Sequence, residues 1–383
     1  GGPNPADRNV VAASTTHAVQ MAALTQVRIE NNLIGLKPDG VTPGAVPSGV
    51  FSSAAVANQQ LINNTISCTS SAALTSFGTL ISGNRFGTTA DGSSAPACVT
   101  AGFTLGALAA TVSNNLMAYT STRAMNVPTG VTGVVFSANR YIDNATIPID
   151  LLGTSGHTAN DAGDSDGGAN NQQNYPILTE VQRLDANTAS IRGSLNSVAN
   201  SSFRIEFYAA TRLDDGSVSI NADFGDAERV GASTVDVSTD ASGNASFGPL
   251  TVSFSDSGYI AGVAATATRL NAGAPVETSE IGPLRAAYTP GVAEFVVSHT
   301  GGAGLGSFKQ AFVEADAHPD VGSARDRIRF AIPGNGPHTI SIAGLSLLQS
   351  SGRLEIDGST QTGYVANTAT IGTAKNLSVT LSG

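Results

Sequence analysis

Hydrophobic and polar positions follow three successive patterns along the chain. In residues 1–150, short runs of apolar or β-branched residues are each followed by Asn or Gly and then by a polar stretch of uneven length. Residues 175–289 alternate apolar and polar positions in short runs separated by Gly, Asn and Asp. Residues 290–383 contain one helical pattern and then return to short apolar runs. This succession predicts an all-β protein with one short helix near its C-terminal end.

A nine-residue phrase recurs in the first region at an interval of 52 residues. Residues 32–40 read NLIGLKPDG, and residues 84–92 read NRFGTTADG. Shorter versions of the phrase also place an asparagine after other apolar runs. Successive asparagines of this set are 32, 20, 31 and 24 residues apart. The set is Asn32, Asn64, Asn84, Asn115 and Asn139. Such a repeat predicts a parallel β-helix over residues 1–153, with one asparagine at the same corner of each coil.

We interpret these asparagines as a structural ladder. A short amide tolerates the left-handed backbone of a corner, and stacked amides can hydrogen bond to one another. A polar binding stripe on the coils is the alternative reading of the same residues.

Composition narrows the class of protein. Only 13% of residues are charged, Trp is absent and Gly occurs 43 times, which favours a secreted, extended β structure. The net charge of −10 disfavours nucleic acid and anionic membrane surfaces as partners. No apolar run approaches the ~18 residues of a membrane-spanning helix, so we expect no membrane span.

The two cysteines, Cys68 and Cys98, lie 30 residues apart, close to the longer coil length. This spacing predicts a disulfide between neighbouring coils. A pair of inert thiols is the alternative, because neither cysteine has a neighbouring His or acid that would make it reactive or metal-binding.

A polar segment without period, residues 154–174, predicts a linker. It contains Asp161, Asp164 and Asp166 before Gly167, and these carboxylates could gather around Ca²⁺. The spacing is not that of an EF-hand and no Glu closes the loop, so a solvated turn is the alternative.

The alternating runs of residues 175–289 predict a β-sandwich of about seven strands. We expect Arg204 and Glu206 to face water, since they alternate with apolar neighbours. Residues 240–244 predict a hairpin turn. Further on, Ser307-Phe-Lys-Gln310 is a capping-box pattern that predicts the start of a helix.

Three phrases in the C-terminal segment carry a resemblance to a known family. They are GLGSFKQA at 304–311, IRFAIPGNGPHTI at 328–340 and LEIDGSTQTGY at 354–364. They resemble the opening segment of large bacterial secreted or surface proteins built from right-handed parallel β-helix repeats with an appended immunoglobulin-like domain. The phrase at 160–166 with residues 174–179 resembles that family's join to the sandwich.

This resemblance covers nearly the whole chain but in a circularly permuted order. The opening segment, residues 290–383, comes last, and residue 383 followed by residue 1 reads as an uninterrupted passage into coils. Uncapped β-helix ends expose strand edges, so the order implies head-to-tail completion by other copies of the chain, either separate subunits or repeats of one polypeptide.

The resemblance therefore implies a structural protein that is secreted, extracellular or on the cell surface. A surface adhesin that binds glycans or host proteins is one alternative, although no aromatic patch marks a binding face. A polysaccharide lyase or hydrolase on the β-helix is the second. That chemistry needs clustered acids, whereas Asp39 and Asp91 occupy one repeated turn position before Gly. We expect no catalytic site and no cofactor other than the calcium considered above.

Overall fold

The computed structural model describes residues 1–22, 26–53, 58–122, 124–151, 153, 156–210, 227–228, 234–254, 260–290, 294–302, 304–319, 325–342, 352–365 and 379–382. Strands dominate these ranges, which contain one α-helix. The prediction of an all-β protein is confirmed. The predicted boundaries at 153, 174 and 289 stay predictions.

The first fifteen strands form two parallel sheets, which we call the N-terminal stack. They are β1 (Val10–Val11), β2 (His17–Met21), β3 (Arg28–Glu30), β4 (Leu33–Ile34), β5 (Val46–Ser52), β6 (Gln60–Ile62), β7 (Thr65–Ile66), β8 (Thr69–Ser82), β9 (Arg85–Phe86), β10 (Phe103–Ser113), β11 (Leu116–Ala118), β12 (Met125–Asn126), β13 (Val135–Ser137), β14 (Arg140–Ile142) and β15 (Ile149–Asp150).

Chain order and spatial order agree in this stack. One sheet runs β1-β4-β7-β9-β11-β14, and the other runs β15-β12-β10-β8-β5-β2, with β3, β6 and β13 paired beside that path. Each successive portion of the chain adds one strand to each of the two sheets, and we call such a portion a layer. The second position of successive strands in the first sheet is buried and apolar, in the column Ile34, Ile66, Phe86, Met117 and Tyr141. Very short strands can pair in this way because each layer buries the apolar face of its neighbour.

The middle of the chain forms two antiparallel sheets. Its strands are β16 (Ile177–Arg183), β17 (Thr188–Asn196), β18 (Ser202–Ala210), β19 (Ala227–Glu228), β20 (Thr234–Ser238), β21 (Asn244–Ser253), β22 (Gly262–Asn271), β23 (Ala274–Thr278) and β24 (Arg285–Ala286). The orders are β16-β17-β21 and β19-β18-β22-β23, with β20 on β18 and β24 on β22. Ile191 of one sheet and Phe203 of the other belong to one shared core. We call this unit the sandwich.

The predicted hairpin at residues 240–244 is wrong. Although this turn joins β20 to β21, β20 pairs with β18 and β21 pairs with β17, so the chain crosses from one sheet to the other. The turn itself is local, because Asp240 accepts backbone hydrogen bonds from Ser242 and Asn244.

The last part of the chain forms parallel strands again, together with the helix. They are β25 (Glu294–Val297), α1 (Phe308–Ala317), β26 (Asp326–Phe330), β27 (His338–Ser341), β28 (Leu354–Asp357) and β29 (Val379–Ser382). The sheets run β25-β26-β28 and β27-β29, and we call them the C-terminal stack. The predicted helix start is confirmed, since Ser307 Oγ accepts from Gln310 N at 3.1 Å.

Candidate functional site

The asparagines predicted to share a corner form one hydrogen-bonded ladder in the N-terminal stack. In each successive pair from Asn32 to Asn139, the backbone N and Nδ2 of one asparagine donate to Oδ1 of the next at 2.9–3.0 Å. All five side chains are buried. Asn9 precedes them, and its Nδ2 donates to Asn32 Oδ1 at 3.0 Å. The ladder therefore keeps a column of buried amides hydrogen bonded, which is the condition for burying them at all.

The left-handed backbone lies one residue before each ladder asparagine, rather than at the asparagine itself. The residues concerned have φ between 52° and 69°, and they are Asn31, Asn63, Gly83, Asn114 and Ala138. Gly35 and Gly87, equivalent in the 52-residue repeat, also have positive φ. A Cβ at Gly87 would lie 1.8 Å from Ala118 O, in the following layer, so this position requires glycine.

The cysteines form a disulfide between Cys68 and Cys98, with their Cα atoms 5.2 Å apart. Cys68 is buried and packs with Leu33 and Leu36 of the preceding layer. The bond therefore ties one layer of the N-terminal stack to the long connection that follows β9.

The sandwich covers the last layer of the N-terminal stack. Along the free side of β13, Phe136 N donates to Thr278 Oγ1 at 3.0 Å and Ala138 N donates to Glu206 Oε1 at 2.8 Å. Beyond β15, Leu151 N donates to Glu280 Oε1 at 2.9 Å. These side chains take the place of the next strand, so the backbone N–H groups of Phe136, Ala138 and Leu151 are satisfied.

Asn170 fills the corner of that covered end. It lies in the segment predicted to be a linker, yet its side chain is fully buried. It accepts from Val134 N and donates to the carbonyl oxygens of Val134 and Thr278. Asn170 is therefore packed between the stack and the sandwich, and Gln173 and Asn174 beyond it are also buried.

Helix α1 covers the first layer of the C-terminal stack and joins it to the sandwich. Phe308 and Phe312 share a core with Phe295 of β25, the first strand of that stack, and Phe308 stacks on Phe330 of β26 with ring centroids 6.1 Å apart. On its other side the helix meets the sandwich through a buried ion pair, Arg183 to Glu314, at 2.9 Å. Arg183 also donates to the carbonyl oxygen of Ile260, so its charge is held by several oxygens.

The opposite end of each stack is an open edge in the part of the chain that is described. At the N-terminal stack, β1, β2 and β3 pair only with the strands that follow them. At the C-terminal stack, β28 and β29 pair only with the strands that precede them. Apolar side chains remain exposed on both edges, Val10 to 39% and Ile356 to 45%.

The three linker carboxylates lie together. One oxygen from each of Asp161, Asp164 and Asp166 falls within 4.8 Å of the others. Within the described residues, Oδ1 of Asp161 and Oδ1 of Asp166 are buried without a hydrogen-bond partner. Asp164 accepts from Ser197 Oγ and Asn174 N.

Burial raises the pKa of Asp164 to about 6, and it also raises the pKa of Asp166. The hydrogen bond from Ser165 lowers the pKa of Asp161. Clustered carboxylate oxygens are ligands of the kind that Ca²⁺ takes, although three fall short of its usual six to eight. Calcium stays a prediction, which melting temperatures in EDTA and in millimolar calcium would test.

Asp39 and Asp91 each accept hydrogen bonds inside their own turns. Asp39 accepts from Thr42 Oγ1, and Asp91 accepts from Thr89 Oγ1 and Ser93 Oγ. These bonds lower the pKa of both carboxyl groups to about 2. A general acid needs a raised pKa, so neither group is suited to that role in glycoside cleavage.

Sequence reasoning missed the residues that close the N-terminal stack. Glu206 was expected to face water, but it is buried against the last layer. No sequence pattern marked Thr278 and Glu280, since the residues to which they hydrogen bond lie more than 100 positions away in the chain. Asn9 could have been found, because it precedes Val10-Val11 as the ladder asparagines precede their strands.

The site and fold define an all-β protein with two parallel stacks, each closed at one end. No helix within the described ranges is long and apolar enough to cross a membrane. No protein-family model matches the chain, and no curated protein matches it in sequence.

Proposed function

We propose that this chain is a structural subunit or repeat of an extracellular filament or cell-surface rod. In this proposal both stacks are segments of a right-handed parallel β-helix, and the sandwich is an immunoglobulin-like domain between them. The C-terminal stack of one copy continues into the N-terminal stack of the next, so that copies assemble head to tail.

The observation that carries the proposal is the direction of the open edges. Among the described strands, the C-terminal stack is open after its last strands, β28 and β29. In the same described part of the chain, the N-terminal stack is open before its first strands, β1, β2 and β3. Every pair of described strands in both stacks is parallel, so strands from one edge can continue the order of the other. Contacts between two different edges are heterologous and propagate when no rotation closes a ring.

Energetics favour such completion. An unpaired parallel edge presents backbone N–H and C=O groups that pair readily with another chain. Val10 and Ile356 add apolar side chains that another layer would cover. By contrast, the closed ends are occupied by the sandwich and by α1, so that growth there would require these covers to leave.

The disulfide supports an extracellular location, since such bonds persist in oxidising compartments and are rare in the cytosol. The sandwich offers no comparable argument for adhesion. Among its described residues, the large exposed apolar side chains are Ile177 on β16 and Leu184 and Val198 in the loops after β16 and β17.

Complementation between two edge variants tests the proposal. Val10→Lys places a charge on the β1 edge, and Ile356→Lys places one on the β28 edge, and edge lysines disfavour strand pairing. Exposed residues elsewhere serve as matched controls, Val99→Lys and Leu184→Lys. Each sample is measured by sedimentation velocity and electron microscopy.

We expect the unmodified chain and both controls to form filaments, and each edge variant alone to remain monomeric. An equimolar mixture of the two edge variants should give dimers and stop there, because one intact junction remains between unlike copies. Monomers from the unmodified chain at all concentrations would refute the proposal. Dimers formed by either edge variant alone would refute the head-to-tail arrangement.

A further inference from the structure

Gly1 takes part in the asparagine ladder although it has no side chain. Its amino group donates to Asn32 Oδ1 at 2.8 Å. In later layers this bond comes from the backbone N of the preceding ladder residue, as from Asn84 to Asn115 Oδ1 at 2.9 Å. The amino group of Gly1 therefore takes the place of that backbone N, while Asn9 Nδ2 supplies the side-chain bond to the same oxygen.

The ladder also shows which strand precedes such a corner. At Asn84, strand β8 ends two residues earlier at Ser82, which lies opposite Ser113 of β10. The same spacing applied to Gly1 puts a strand end opposite Glu30, beside β3. Of the described strands, β6 alone pairs with β3, so its other side is free for that strand.

Strand β29 has the sequence that this place requires. Residues 381–383 read LSG, and residues 81–83, which lead into the corner at Asn84, read ISG. β29 ends at Ser382, as β8 ends at Ser82. We propose that β29 of one copy pairs in parallel with β3 of a second copy, with Leu381 opposite Ile29 and Thr380 opposite Arg28. This pairing rests on the proposed head-to-tail function.

The alternation of side chains would fix the register of this junction. A slip of one residue turns every side chain of the incoming strand to the opposite face. Ile29 of the receiving copy is buried, and after a slip it would lie beside Thr380 or Ser382 instead of Leu381, so one register should dominate.

Cysteine cross-linking between separate chains tests the register. A chain with Arg28→Cys is mixed with a chain carrying Thr380→Cys and oxidised with oxidised glutathione. Paired residues on neighbouring strands lie about 5 Å apart, within disulfide range. The control mixture pairs Arg28→Cys with Ser382→Cys, which would lie about 8 Å away, beyond that range.

We expect cross-linked dimers on non-reducing gels from the first mixture, at least tenfold more than from the control mixture. Equal or greater cross-linking in the control would overturn the register. Filaments of the unmodified chain without cross-links in the first mixture would overturn the β29–β3 pairing and leave the proposed function standing. Absence of any assembly by the unmodified chain would overturn both.

Discussion

Replacing Asn84 by alanine should strongly destabilise the middle of the N-terminal stack. Its Oδ1 accepts from both Asn64 N and Asn64 Nδ2, and its Nδ2 donates to Leu61 O, Ser82 O and Asn115 Oδ1 at 2.8–3.1 Å. Asn64 Nδ2 keeps two other acceptors, but Asn64 N loses the acceptor it has here.

The magnitude follows from these contacts. Loss of about two net hydrogen bonds costs about 1 kcal/mol each, and the stranded buried N–H costs a further 1–3 kcal/mol. We therefore expect Asn84→Ala to lower the free energy of opening these layers by about 3–5 kcal/mol. Asn84→Asp should cost at least as much, because it keeps the acceptor but turns a second oxygen toward Leu61 O and Asn115 Oδ1.

Hydrogen exchange measured by mass spectrometry is the appropriate assay, since it reports each layer separately in a chain with several units. Amides of β6, β7 and β9 should exchange about 150-fold to 4,000-fold faster in the alanine variant. Asn244→Ala is the matched control, because it removes an exposed Asn–Asn hydrogen bond of 2.8 Å. If exchange in these strands rises less than tenfold, or no more than in the control, the ladder does not stabilise the stack as argued.

Three other predictions concern single features of the fold. Replacing Cys68 and Cys98 by serine should cost about 3–4 kcal/mol, as expected for a closed loop of 30 residues, and reduction of the unmodified chain should lower its melting temperature similarly. Gly87→Ala should cost at least about 2–3 kcal/mol in urea unfolding, because its Cβ meets a carbonyl oxygen. Gly130→Ala, with similar φ and no neighbour within 4 Å, should cost only about 1 kcal/mol. Burial destabilises the charged Asp164 carboxylate in the folded state, and its raised pKa makes this penalty grow as pH rises from about 4 to about 6. Stability relative to Asp164→Asn should therefore increase by about 1–2 kcal/mol as pH falls from 7 to 4, allowing for the partial exposure of Asp164. A difference in stability between these two proteins that does not change from pH 7 to pH 4 would contradict the last prediction.

The ladder could be predicted from sequence because each asparagine follows its own apolar run, within a few residues. The left-handed backbone was predicted at the ladder asparagines but lies one residue earlier. The residues that adopt it, such as Asn31, Gly83 and Ala138, share no side-chain type, so no sequence pattern marks them. Burial of Glu206 depends on Ala138, 68 residues away, and no local pattern carries that information.

In the sandwich, the residue pattern likewise indicated a turn but not which strands pair on either side of it. Residues 240–244 contain the residues of a tight turn, and a turn does form. Which sheet receives the next strand depends instead on the pairing of β17 with β21, which a local pattern does not specify. The C-terminal helix, by contrast, was predictable because its cap and its apolar face lie within ten residues.

The uneven spacing of the ladder asparagines means that the outer surface of the stack can vary independently of the hydrogen bonds that hold its layers together. Connections of 20 to 32 residues lead from one ladder asparagine to the next, while the amide bonds between them keep a length of 2.9–3.0 Å. Extra residues can therefore be accommodated in an exposed turn, such as that around Asp39, without changing the distance between layers. A protein built on this plan could acquire new outer surfaces by insertion while its inner framework stays the same.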